Sequence, residues 1–409
     1  MADRFSAIPS KAVGKPVPFT LSVPEEALNE FQILLKLSKI GPSTWWNQPG
    51  DGQFGLSREW LTRAQETWLA KFDWRDHEKR INAIPNFKIP LQDPELGQLD
   101  IHFAALFSKK PDAVPLMFLH GFPSSFMDFL PIMETLVGKY TPETLPYHVI
   151  APSLPDYGLS VRTTRKAEMT VHRAARVMHQ LMLDLGFGES GYVVQGGDLG
   201  SMLARTMAVE YEECKAFHVN MLVLNPGDSV SPSARPTAEE QEALDRTKRW
   251  QETGFAYALE HGTRPATVGL AMSSNPLALL AWIGEKLCEW VDPHSPLSLD
   301  TILATVSFYW FTDTFPNCLY HAELVKKVMA GSTLPISTEK PMGYSLFAHD
   351  LAILPRAWAE ELYPNLKLFR FHAEGGHFAS LEQPQSFLAD VEEFIQLSRS
   401  LFSAPGALV

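Results

Sequence analysis

"VVQGGDLGS" (193–201) is an apolar run entering a small-x-x-x-small turn, with a helix-like stretch after it. Gly196 and Gly200 flank the centre of the turn, which is Asp198. Such strand-to-helix turns present a hydrolytic nucleophile, ordinarily serine or cysteine. A carboxylate changes the chemistry. Serine attacking an sp³ carbon would leave an ether that water does not cleave. A carboxylate attacking the same carbon leaves an alkyl ester whose carbonyl belongs to the protein, so water can attack it and regenerate the aspartate. With an ordinary pKa of about 3.9, the group needs no base for the first step. The plainer reading is a Gly-rich turn in which Asp198 caps the following helix. The surrounding motifs decide between the two.

Working outward from the turn, the strand-like runs DIHFAALF, PLMFLHG, YHVIAPSLP and AFHVNMLVLNP alternate with helical patterns. In TVHRAARVMHQLMLDLGFG, Ala174, Val177, Met178, Leu181, Met182 and Leu185 recur at helical spacing, with Thr170 as N-cap and Gly186 as stop. Nearly all-apolar strands alternating with helices predict an α/β fold with a mostly parallel sheet covered on both faces. The first hundred residues (WWNQPGDGQFG, SREWLTRAQETWLAKFDW, NAIPNFKIPL) read as a couple of helices and irregular meanders rather than regular sheet. Residues 228–340 are mostly helical in pattern, which predicts a lid over the sheet's carboxyl edge. PMGYSLFAH and LKLFRFHA then resume the sheet, and PQSFLADVEEFIQLSRSLF closes it. The predicted organisation is therefore an N-terminal meander (1–98), a core in two parts (99–227 and 341–409) and a helical lid (228–340).

Composition sets outer limits. At 45% apolar and 20% charged residues the chain has enough material for a large core. A formal net charge of −12 argues against nucleic acid, whose phosphates need a basic surface. Three cysteines without C-x-x-C spacing favour reduced thiols over a disulfide framework or a zinc site. The N-terminus MADRFSAIPSKAVGKPVPF lacks the apolar core of a signal peptide, and PLALLAWI (276–283) is far shorter than a membrane helix. The C-terminus SAPGALV carries no prenylation or peroxisomal signal. These features predict a soluble cytoplasmic protein with no membrane anchor, and nothing in the sequence suggests a metal or nucleotide cofactor.

Two further sites complete the chemistry. His377 in HAEGGHFASLEQP follows paired glycines just before the closing helix, and Asp350 in FAHDLAILPR ends the preceding strand. The order nucleophile, acid, histidine is that of the α/β-hydrolase fold. In this order Asp350 orients the imidazole of His377, which activates water against the ester. Asp228 in NPGDS is the competing acid. FLHGFPSSF places a loop beside the nucleophile, and the backbone N–H groups of Phe122 and Leu199 could stabilise the oxyanion formed when water attacks.

Taken together, HGFP (120–123), GGDLGS (196–201), GGHFA (375–379) and the Trp-rich FDWRDHEKRINAIPNF (72–87) resemble the epoxide hydrolases of the α/β-hydrolase fold. The resemblance is to their microsomal-type branch, closest to its soluble fungal members, and spans about residues 17 to 398. It implies hydrolysis of a small apolar epoxide by water to a vicinal diol, without a cofactor, and a homodimer formed through the lid and N-terminal region. Detoxification, catabolism of aromatic hydrocarbons and secondary metabolism are the settings it leaves open. It also implies two lid tyrosines that donate to the epoxide oxygen. Tyr257 in GFAYALEHGTRP matches the first position and Tyr320 in NCLYHAE the second, with Tyr309 in SFYWFT a nearby competitor. Leu199 and Phe122 stand where the family often has tryptophan. Asp156 in PSLPDYGLS stands where a small residue is expected. The rival reactions are haloalkane-type dehalogenation through the same aspartate and non-catalytic binding of apolar ligands under the lid. Leu199 offers no side-chain donor for a halide, and the complete set of candidate residues argues against a bare scaffold.

Overall fold

The computed structural model describes residues 2–49, 54–162, 167–225, 227–329 and 334–402. The C-terminal stretch read for targeting signals (403–409) and part of the Trp-rich stretch (50–53) lie outside the described residues.

Ten strands in the described residues form one sheet. They are β1 Val17–Phe19, β2 Asn86–Asp93, β3 Gly97–Leu106, β4 Val114–Leu119, β5 Tyr147–Pro152, β6 Val161–Arg162, β7 Tyr192–Gly196, β8 Cys214–Val219, β9 Met342–His349 and β10 Leu366–Gly376. The order is β1-β2-β3-β5-β4-β7-β8-β9-β10, with β6 pairing β3. From β5 to β10 every pairing is parallel, and the pairings on the β3 side are antiparallel. This is the α/β-hydrolase fold. The central strand β4 (VPLMFL) is buried at all six positions, as a strand covered on both faces must be.

The helix Val171–Asp184 begins where predicted. The Thr170 hydroxyl accepts from Arg173 N, Gly186 takes φ +89°, and all six predicted apolar positions are buried. The N-terminal meander is more ordered than its sequence suggested. NAIPNFKIPL continues into a strand, β2, that pairs β3 over eight positions. Its alternation was present, since Phe87, Ile89 and Leu91 are buried. Pro90 hid it, and it lies past the three positions that β1 pairs, where a proline is tolerated. In contrast β8 is shorter than its apolar run. The chain leaves the sheet after Val219, and Met221 and Leu222 are buried as loop.

Six helices follow between residues 238 and 329, with no strand among their described residues. No single helix in the described residues is long and apolar enough to cross a membrane. Asp156 takes φ +65°, the left-handed region that glycine, asparagine and aspartate visit most readily. Backbone conformation thus accounts for the absence of an ordinary small residue there.

Candidate active site

The turn after β7 enters the helix Leu199–Glu210 through Asp198, which takes φ +50° and ψ −125°. A non-glycine residue held there costs about 1–3 kcal/mol of strain and persists only where its surroundings impose the conformation. Here they do. A Cβ on Gly200 would lie 2.1 Å from the Leu119 carbonyl oxygen, and one on Gly196 would lie 2.1 Å from the Gly200 carbonyl oxygen. A Cβ on Gly121 would lie 2.2 Å from Asp198 Oδ1. The three glycines let two backbone segments and the carboxylate share one small volume.

The loop after β4 supplies the first donor: Phe122 N donates to Asp198 Oδ1 at 2.8 Å. The Leu199 N–H bonds the same carboxylate. His120 shapes this loop. Its Nε2 accepts from Leu154 N at 3.1 Å and its Nδ1 lies 3.1 Å from the Gly121 carbonyl oxygen. Burial lowers its pKa to about 4, so it stays neutral and joins the loops after β4 and β5. Burial works against a charge on Asp198. His377 and the two N–H groups outweigh it and hold the carboxyl below its ordinary pKa.

His377 follows β10, and Asp350 follows β9. His377 Nδ1 lies 2.7 Å from Asp350 Oδ1, which also accepts from Leu351 N at 2.6 Å. On the other side His377 Nε2 lies 3.5 Å from Asp198 Oδ2. The imidazole is thus gripped between two carboxylates. Burial alone would lower its pKa, but Asp350 and Asp198 together raise it to about 10. The competing acid, Asp228, instead accepts from the backbone and side chain of Asn225.

Sequence reasoning missed the clamp on the histidine loop. His377 N donates to the Trp290 carbonyl at 2.9 Å, and Gly375 N donates to Asp292 Oδ2 at 2.9 Å. Glu382 accepts from Gly376 N, Phe378 N and Asp292 N at 2.8–2.9 Å. These bonds tie the loop to the helical segment before it. The available signal was the acid five residues after the histidine in GGHFASLEQP, a spacing that closes a turn.

The tyrosines differ in placement. Tyr257 is half-buried, stacks on Phe122 (centroids 6.0 Å, 15° between planes) and packs 5.2 Å from Trp290. Burial and the Asp198 charge raise its pKa well above the ordinary value, so it stays a neutral donor. Tyr320 is buried, packs edge-on to Tyr157 (5.6 Å, 76°) and donates to the Pro155 carbonyl. Tyr309 is also buried, and its hydroxyl donates to the Ser124 carbonyl at 2.9 Å. Asp198, His377, Asp350, Phe122 and Leu199 therefore form one connected constellation. Tyr257 borders it through Phe122, while Tyr320 reaches it through Tyr157, whose pKa is itself raised in part by Asp198.

Two family models match the chain: "Epoxide hydrolase N terminus" over residues 16–129 and "alpha/beta hydrolase fold" over 114–279. A solved epoxide hydrolase of Aspergillus niger is 44% identical and superposes with a TM-score of 0.89, covering 96% of this chain and 99% of that one. The juvenile hormone epoxide hydrolase of the silkworm Bombyx mori is 25% identical with a TM-score of 0.80, covering 96% and 97%. Epoxide hydrolase 1 of Sus scrofa is 29% identical, covering 93% of this chain and 88% of that protein.

Proposed function

Because the chain belongs to the epoxide hydrolases of the α/β-hydrolase fold, we propose that it opens its substrate with Asp198 and releases the product with His377. The reaction is hydrolysis of an epoxide to a vicinal diol. In the first step an oxygen of Asp198 bonds to an epoxide carbon and the carbon–oxygen bond of the ring breaks. Tyr257 and Tyr320 donate to the oxygen that leaves, and a neutral phenol beside an anionic nucleophile suits this task.

The second step follows from the charges. In the free enzyme two carboxylates hold His377 in its protonated form. Esterification removes the charge of Asp198, so one of the two anions raising the histidine's pKa is gone. The imidazole can then give up its proton and accept one from water, while Asp350 keeps its orientation. The N–H groups of Phe122 and Leu199 already bond the carboxylate, and they hold the oxyanion that forms on it. The single observation that carries this reading is the chain of contacts from Asp350 through His377 to Asp198 and Phe122.

The helices between 238 and 329 act as a cap over this constellation. Phe122, Tyr257, His261 and Phe315 pack as one aromatic wall, which suits an apolar aryl or alkyl epoxide. The exposed cluster of Trp45, Trp46 and Phe54 supports a homodimer through the N-terminal region. The three unpaired cysteines suit the cytoplasm.

The test is His377→Gln mixed with a small aryl epoxide and, separately, a haloalkane. An adduct with the mass of the whole epoxide on the peptide containing Asp198 is the expected result. An adduct from the haloalkane alone, with halide released, would instead assign the chain to dehalogenation.

A further inference from the structure

Beside the nucleophile lies a chamber of about 30 Å³, walled by Asp198, His377, Gln195, Asn220, Ser124 and Asp128 among others. A water needs roughly 10–15 Å³ of such space and two to four polar partners. The chamber therefore has room for one or two waters and none for a substrate. Neither Tyr257 nor Tyr320 is among its walls.

Two of its walls have no part in the mechanism above. Gln195 is fully buried on β7, and its Nε2 donates to Asn220 Oδ1 at 3.0 Å. Its Oε1 has no hydrogen-bond partner among the described residues. A buried amide oxygen without a partner is destabilising unless something polar meets it. Asp128 is buried and accepts from the Ser124 hydroxyl, while the Ser124 carbonyl is held by Tyr309. Burial pushes the Asp128 carboxyl up to about 7, so near neutral pH it can donate as well as accept. Asp128 also walls a second cavity of about 40 Å³ that includes Arg80 and Asp300, whose side chains are exposed. It is the residue shared by the inner chamber and this outer one.

We propose that the chamber holds the water that hydrolyses the alkyl-enzyme, with Gln195 and Asp128 as its positioning residues. This rests on the roles of Asp198 and His377 given above. The water oxygen bonds to the Asp198 ester carbonyl carbon and one of its protons passes to His377 Nε2. Collapse of the tetrahedral intermediate breaks the bond to the diol oxygen, which takes a proton back from the imidazole. Gln195 Oε1 accepts the water's second hydrogen and Asp128 aligns it from the opposite wall.

The experiment is single-turnover kinetics with styrene oxide, following alkylation and ester hydrolysis separately, on Gln195→Met and Asp128→Asn. Gln195→Met keeps the side-chain volume and removes the acceptor. Its hydrolysis step should slow by about 10- to 100-fold and its alkylation by less than about threefold. The values of kcat and KM then fall together and the alkyl-enzyme accumulates in intact mass. Asp128→Asn should act in the same direction, by about 3- to 10-fold. Equal slowing of both steps, the mark of a merely structural role, would overturn the proposal. So would hydrolysis at the wild-type rate. Should Gln195→Met not fold, a high-resolution crystal structure of the wild type decides. An ordered water in hydrogen-bond contact with Gln195 Oε1 supports the proposal, and a dry chamber ends it. Absence of any adduct on Asp198 in the wild type would overturn the underlying mechanism, and the chamber's role with it.

Discussion

The turn at Asp198 and the proposed cap hold their key side chains in opposite ways. The turn is built from backbone. Gly196, Gly200 and Gly121 bring chain segments so close that no Cβ fits, and the carboxylate has one place to go. The cap is built from side chains. Tyr257 is set by stacking on Phe122 and packing on Trp290, contacts that many aromatic residues could make. Backbone crowding writes its requirement into residue identity, because only glycine satisfies it. Side-chain packing leaves a tyrosine proposed to donate a proton looking like one that fills space.

The strongest way to break this contrast is Gly200→Ala. Its new Cβ meets the Leu119 carbonyl oxygen at 2.1 Å, with backbone on both sides of the contact. We expect a loss of about 3–5 kcal/mol by chemical denaturation, together with loss of activity. A well-folded, active variant would show that the turn has more slack than its geometry implies.

The cap is sharpened by three tyrosine-to-phenylalanine changes. Tyr257→Phe and Tyr320→Phe should each lower the alkylation rate by about 10²-fold. Tyr309→Phe should lower it by less than about threefold, because the resemblance to the family gives the second donor position to Tyr320 and the Tyr309 hydroxyl serves to hold the Ser124 carbonyl. A large effect at Tyr309 with none at Tyr320 would exchange the roles of the two. Stopped-flow alkylation separates these outcomes.

A further test of the turn concerns pH. His377 is raised from 6.5 to about 10 on folding, so its contribution to stability is complete below about pH 6.5 and is lost as pH rises through about 10. The stability advantage of the wild type over His377→Gln should therefore shrink across that range. Denaturation midpoints at pH 6 and pH 10 measure it. A difference independent of pH would mean that the carboxylates do not hold the histidine charged.

Much of the site was readable because its parts are local. GGDLG, HGFP and GGH each lie at the end of a strand, and short-range spacing is enough to suggest a nucleophile, a donor loop and a base. The order of motifs also pointed to Asp350 rather than Asp228, and in the fold Asp350 meets His377 while Asp228 bonds Asn225. The clamp of Asp292 and Glu382 on the histidine loop was not legible. Asp292 stands 83 residues from the glycine it bonds, and no local pattern marks that contact. Strand β2 was missed for a different reason. Its alternation of Phe87, Ile89 and Leu91 was interrupted by Pro90, which is tolerated only because β1 ends before it.

The sequence by itself determined the fold class and the reaction. Apolar periodicity dictates the strands and helices, and a carboxylate at the turn dictates an alkyl ester. The tertiary structure alone decided which hydroxyls are already bound, which groups clamp the histidine loop, and that a buried glutamine oxygen beside the nucleophile has no partner among the described residues. The physical reason is distance along the chain. Periodicity and turn chemistry act over a few residues, whereas charge coupling, hydrogen-bond satisfaction and cavities depend on groups that only folding brings within a few ångströms of each other.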